Sequence, residues 1–390
     1  MINKCVQAFP RSEYMRRLAA VKEEMARRDL RTLVVTDDSN VAYLLGYTAQ
    51  SGYVPQGVIV SADRGEPTFL LRRQDAPAAI HQSFLDRDQV VGYPEALVGN
   101  PDENGFDAII DLLHDLGAAE AGLGLELADL PAPDVDKFRR RLPAARIEDF
   151  TGGVTWLRIV KSDLEIAVMR EAAAITDAAI RRAGEVLRPG LRESDAAAEI
   201  VAQLIRGVDG IPGTGTANSF FLCASPRTGT SHIPWTEDVL QPGAQVNLEL
   251  SGVRHGYVAP IMRTFSLGTP NDRLRKVHEA ELAGLEAALD AVEPGRTCGE
   301  VAEAFYRTAE AQGVTKESRC GYAVGINWTE PTASLKVGDP TILQPNMTFH
   351  LMLGNWMEED FGYVISETFR VTESGADVLT RSPRDLLKLC

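Results

Sequence analysis

One segment of this chain occurs twice. Leu240-Gln241-Pro242-Gly243-Ala244-Gln245-Val246-Asn247-Leu248-Glu249-Leu250 returns as Leu343-Gln344-Pro345-Asn346-Met347-Thr348-Phe349-His350-Leu351-Met352-Leu353. Each copy is soon followed by Gly-Tyr-Val, at Gly256–Val258 and Gly362–Val364. Upstream of each, a Pro-Gly pair (Pro189-Gly190, then Pro294-Gly295) precedes an Ala-rich segment with helical spacing. Helix, strand and hairpin therefore recur at an offset of roughly 105 residues, and two copies are too few to stack as a solenoid. The pattern predicts one domain built from two pseudo-symmetric halves around a shared centre.

The start of that domain is also marked. In Lys161-Ser162-Asp163-Leu164-Glu165, Ser162 can cap a helix while Glu165 reaches back to it. A long Ala-rich helix is predicted over 164–186, and Thr297 with Glu300 supplies a second capping box. Before this boundary the chain alternates. Helical spacing covers 14–28 and 106–116, short apolar strands fall at 32–35, 58–60 and 68–71, and a strand-rich stretch punctuated by Gly and Pro runs to about residue 155. At 390 residues two cores are expected. The domains are placed at 1–157, an α/β unit, and 158–390, an α+β unit.

Composition narrows the function classes. With 44% hydrophobic and 24% charged residues the chain is ordinary globular material. No apolar run reaches the roughly 18 residues that span a membrane, and the N-terminal stretch lacks the apolar run of a secretory signal. A cytoplasmic location is expected. The five cysteines are scattered, with no CxxC pair, which disfavours a disulfide framework or a thiolate zinc site. A net charge of -15 disfavours nucleic acid and anionic membrane as partners and is compatible with a cationic small molecule.

Side chains alternate along a strand, so Asn247 and Glu249 share one face, and by the repeat His350 and Met352 share the matching face. A carboxylate and an imidazole thus fall on paired strands, which predicts a pocket. Glu249 sits in an apolar strand, where an unpaired carboxylate is costly. It is either functional or held in a salt bridge, with Arg263 a candidate partner.

The two-domain layout, the Arg158-Ile159-Val160-Lys161-Ser162 segment and the duplicated strand–hairpin unit resemble the creatinase/aminopeptidase P superfamily over nearly the whole chain. The resemblance implies a creatinase-type α/β N-terminal domain followed by an α+β "pita-bread" catalytic domain with internal pseudo-two-fold symmetry. Metal-dependent members hold two ions with two Asp, one His and two Glu. Those positions fall here on Glu249, Pro260, Tyr322, Met352 and Ser366. Four of the five are groups that bind hard divalent ions poorly or not at all, so neither a metal nor another cofactor is expected.

Asn247–His255, Met347–Met352 and Ile365–Glu373 are similar to segments of ectoine hydrolases, in the metal-independent branch with creatinase. The resemblance implies a hydrolase cleaving a C–N bond of a small zwitterionic amidine: ectoine or hydroxyectoine, opened to an acetylated diaminobutyrate. Such a cation would be repelled by two metal ions, whereas carboxylates can grip its planar N–H edges. Creatinase-type cleavage of a guanidino acid is one alternative, and a catalytically inactive peptidase-like binding module is another. The catalytic residues implied are His232, Glu249 and Glu367, with Tyr257, Tyr322, Lys336 and His350 contacting substrate and Lys336 taking its carboxylate. Strict alternation from Ser366 turns Glu367 away from the pocket, so a bulge or twist is needed to bring it in. In the loop Gly46–Gln56 the bulky rings expected of an ectoine hydrolase are thinned, which leaves room for another amidine. A homodimer is expected, one subunit's N-terminal domain closing the other's pocket.

Overall fold

Four-residue apolar runs such as Thr32–Val35 are buried along their whole length, the mark of a strand covered on both faces. The computed structural model describes residues 4–49, 51–216 and 219–389; Gln50 and Cys390 lie outside the described residues. The chain divides into two compact units, one up to Arg158 and one from Ile159.

The first unit is a mixed six-stranded sheet. Its strands are β1 (Thr32–Val35), β2 (Gly57–Ser61), β3 (Thr68–Arg72), β4 (Val90–Tyr93), β5 (Gly122–Leu125) and β6 (Arg146–Asp149), in the order β4-β3-β2-β1-β5-β6. The helix Gly105–Asp115 is started by an Asn104/Asp107 capping box and buries Ile109, Ile110 and Leu113. One expectation is corrected here. The stretch read as strand-rich contains a helix, Ala132–Arg141, between β5 and β6. Its prolines look like breakers, yet Pro131 precedes the helix and Pro133 lies in its first turn, where a missing N–H costs nothing.

The second unit carries the duplication. Helix Asp163–Val186 opens with the expected capping box: Glu165 N–H donates to Ser162 Oγ, and Ser162 N–H donates to Glu165 Oε2 at 2.9 Å. It packs against helix Glu193–Arg206. In the other half, Asp272–Asp290 packs against Cys298–Ala311, and the latter is capped by Thr297 and Glu300.

The first half's strands are β7 (Phe221–Ala224), β8 (Gln245–Leu250), the hairpin β9 (Val253–Arg254) and β10 (Tyr257–Val258), and β11 (Ile261–Leu267). The hairpin's two central residues, His255 and Gly256, both have positive φ, as a two-residue type I′ turn requires. The second half supplies β12 (Gly321–Ala323), β13 (Ser334–Leu335), β14 (Thr348–Met352), the hairpin β15 (Asn355–Glu358) and β16 (Phe361–Tyr363), β17 (Ser366–Thr372) and β18 (Gly375–Val378), with β19 (Leu387–Leu389) crossing back. The two sheets run β19-β11-β8-β7 and β13-β12-β14-β17-β18. Thus β8 corresponds to β14, the hairpins to each other, and β11 to β17. Each half has its own apolar core, Val246, Leu248 and Phe265 in one, Phe349, Leu351 and Phe369 in the other.

Among the described residues no helix is long and apolar enough to cross a membrane.

Candidate active site

The two halves join along β11 and β17. Met262 N–H donates to Ser366 Oγ at 2.6 Å, and the Thr368 and Thr264 hydroxyls donate to the Pro260 and Val364 carbonyls. This seam brings together residues about a hundred positions apart in sequence.

Register decides which of them share a face, because directly opposed residues of an antiparallel ladder point the same way. Glu249 lies opposite Phe221 on β7 and Met262 on β11. Tyr322 lies opposite His350, and Met352 opposite Ser366. The expected pairing of Asn247 with Glu249, and of His350 with Met352, is what the ladders show.

Glu249 is the unusual member. It is 7% exposed, and no hydrogen bond or charge of a described residue acts on its carboxyl. Burial alone pushes it up to about 8. Arg263, the candidate for a structural salt bridge, is engaged elsewhere. The Tyr322 hydroxyl is raised first by burial and then by the negative charge of Glu249, which puts the phenol in the carboxyl's field.

His350 is completely buried and its ring is held at both ends. Nδ1 lies 3.1 Å from the Tyr322 hydroxyl and Nε2 2.7 Å from Ser366 Oγ. Burial drives its pKa down to about 3, so at neutral pH it is an uncharged imidazole relaying hydrogen bonds between two hydroxyls. Trp328 Nε1 donates to the Tyr322 hydroxyl at 3.0 Å. The result is a chain from Trp328 through Tyr322, His350 and Ser366 to the backbone of Met262.

His232 stands on an exposed loop after β7. Its ring packs edge-on against Phe221, centroids 5.2 Å apart, so it meets the same side of the sheet as Glu249 through the ring between them. The loop is tied down from both halves. Thr228 Oγ1 donates to Asp360 O, and Asn247 Nδ2 donates to the Thr228 and Gly362 carbonyls.

Three residues expected in the site are placed elsewhere. The β14–β17 register runs without a bulge, Leu351 opposite Glu367, so Glu367 faces away from His350. There it pairs with Arg263 at 2.8 Å and Arg384 at 3.0 Å and accepts from the Thr380 hydroxyl, buried on every side. Arg263 fills its remaining donors with the carbonyls of Met262, Ser366, Ser382 and Pro383. Tyr257 is buried, and its hydroxyl donates to Glu165 Oε1 at 2.8 Å, tying the first hairpin to the long helix. Lys336 is exposed past the end of β13, and none of the cluster's side chains bonds to it among the described residues. Conversely, Phe221, Trp328 and Ser366 belong to the cluster, and the repeat could have pointed to Ser366 as a partner for His350.

Comparison with known proteins agrees with this architecture. Residues 17–160 match the Creatinase/Prolidase N-terminal domain, and residues 167–373 match Metallopeptidase family M24. An uncharacterized hydrolase/peptidase of Sinorhizobium fredii is 61% identical, aligned over 97% of each chain. The ectoine hydrolase of Halomonas elongata is 36% identical over 97% of this chain and 98% of that protein. The crystal structure of an X-Pro aminopeptidase from Thermotoga maritima superposes with a TM-score of 0.84 at 17% identity, covering 95% of this chain and 99% of that one.

A metallopeptidase match implies a metal centre, and the donors here do not suit one. Hard divalent ions take several carboxylate or imidazole ligands. Glu249 is a lone carboxyl, the Tyr322 and Ser366 hydroxyls are committed to His350, and Met352 offers only a thioether. Among the described residues no three His, Cys, Asp or Glu side chains converge to hold an ion.

Proposed function

The chain belongs to the M24 family of hydrolases in its two-domain, pita-bread form, and from that premise we propose that it works without metal, cleaving a C–N bond of a small zwitterionic amidine. Ectoine or hydroxyectoine is the substrate of this reading, opened to an acetylated diaminobutyrate. The supporting relative is the ectoine hydrolase, 36% identical across almost the whole chain. The observation that carries the reading is Glu249: a buried carboxyl with no partner among the described residues, on the strand face that Tyr322 also meets.

An unpartnered buried carboxyl suits a cationic substrate. An incoming amidinium would supply the missing counter-charge, hold Glu249 ionised, and donate a charge-assisted hydrogen bond to it. Glu249 then takes a proton from water as the oxygen bonds to the amidine carbon, giving a neutral tetrahedral adduct. Protonation of one ring nitrogen breaks its bond to that carbon. The products are an amide and an ammonium, and Glu249 returns to the carboxylate. The proton for the departing nitrogen comes from Glu249, or from His232 relayed by a water, in which case Glu249 passes its own proton back to His232. Such acid–base help is worth about 100- to 10,000-fold. Tyr322, fixed by His350 and Trp328, forms the wall beside the reacting carbon.

Purified protein treated with chelator and incubated with ectoine or creatine, with products identified by mass, tests the substrate class. Ectoine gaining the mass of one water supports the reading. Creatine cleavage would move it to guanidino acids, and inertness toward both would leave a binding role.

A further inference from the structure

We propose that Arg319 is the residue that recognises the carboxylate of the substrate, a role the family resemblance had implied for Lys336; this rests on the amidine reading for the identity of the ligand. Arg319 is half-buried just before β12, and its guanidinium lies over the ring of Tyr322, 4.7 Å from the centroid. Its one hydrogen bond to a described residue runs from Nη1 to Ser334 Oγ, 2.8 Å. No described carboxylate lies within ion-pair distance of it. Glu303, Glu310 and Glu317 share its groove of about 940 Å³ and none pairs with it.

Many arginines of this chain, such as Arg263, Arg227 and Arg254, are matched with carboxylates, and Arg319 is half-buried without one among the described residues. A partly desolvated charge without a counter-ion is costly, and the planar fork of arginine fits a carboxylate through two parallel N–H donors. Stacking on Tyr322 fixes the plane of that fork and leaves its outer edge open. Tyr322 is the link to the reacting end: its hydroxyl bonds His350 and Trp328, and Glu249 acts on it electrostatically. A zwitterion whose cationic ring meets Glu249 and whose carboxylate meets Arg319 would lie along this tyrosine. Lys336 is exposed and lines the same groove on a flexible stem, with no stacking partner among the described residues.

The test compares two probes on four variants by calorimetry: ectoine, and its methyl-tetrahydropyrimidine ring lacking the carboxylate. Arg319→Gln should weaken ectoine binding by about 10- to 100-fold, the usual loss for a hydrogen bond to a charged group. It should leave the carboxyl-free ring within about twofold, a difference too small to be a lost charge pair. Arg319→Lys should recover part of the loss, and Arg307→Gln, in the same groove, should change neither probe. Equal weakening of both probes by Arg319→Gln, or carboxylate discrimination lost in Lys336→Gln and kept in Arg319→Gln, overturns the inference. If wild-type protein binds neither amidine, the substrate reading fails, and Arg319 is then judged with acetate alone. Acetate should protect Arg319, and not Arg307, from phenylglyoxal, as read by peptide mass; equal labelling with and without acetate overturns it.

Discussion

Replacing Glu249 by glutamine should make the protein more stable, by an amount set by pH. The glutamate sits at about 8 in the fold, against an ordinary value of 4.5, because burial penalises its charge. Below pH 4.5 the carboxyl is neutral in both folded and unfolded chains and costs nothing. As pH rises, the unfolded chain ionises first, so unfolding is favoured progressively until the folded carboxyl also ionises near pH 8. One pKa unit is worth about 1.4 kcal/mol, which puts the ceiling of the loss at about 5 kcal/mol. Glutamine keeps the shape and has no charge to expose, so it escapes that loss. Groups that titrate alike in the two proteins cancel in the difference. Urea denaturation of both proteins from pH 4 to 9 measures it. The stabilisation should be near zero at pH 4, grow by about 1.4 kcal/mol per pH unit, and level off above pH 8. A difference that is flat with pH, or a glutamine variant that is weaker throughout, would mean the carboxylate is paired in the fold and would remove the basis of its catalytic assignment.

Other outcomes are expected elsewhere in the site. His232→Ala should lower kcat by about 100- to 10,000-fold in steady-state assays, and retention of more than about a tenth of wild-type kcat moves the second proton transfer to another group. Glu367→Gln strands the buried Arg263 and should cost about 3–5 kcal/mol of stability, measured by denaturation, while kcat per folded molecule stays near wild type. A lost kcat at unchanged stability would return Glu367 to the mechanism. The homodimer proposed from the family resemblance is checked by light scattering on active protein; a stable, active monomer contradicts it.

The repeat made most of the catalytic unit legible. Two matched strands, two hairpins and two capping boxes were visible because each is a local pattern whose geometry follows from its own residues. Alternation along β8 and β14 was enough to put Glu249 and His350 on their faces. It was also enough to turn Glu367 outward, and assigning that residue to the pocket went against the simpler geometry. What the sequence hid was long-range. Nothing local says that Arg263 spends its donors on Glu367 and four carbonyls, that Tyr257 is consumed by Glu165, or that Arg319 lies on Tyr322. Those pairings depend on how elements pack across the seam, which periodicity does not encode. The helix Ala132–Arg141 was missed for a different reason: prolines that start helices look, one residue at a time, like prolines that end them.

The most direct test of metal-free amidine hydrolysis by Glu249 is the mass of the product formed from ectoine by metal-stripped protein, wild type beside Glu249→Gln. Wild type should yield a compound heavier by one water without any added ion, and the glutamine variant should yield none. A wild-type protein inert toward ectoine until manganese or cobalt is restored, and then cleaving an Xaa-Pro dipeptide, would contradict the proposal and return the chain to the metal-dependent peptidases.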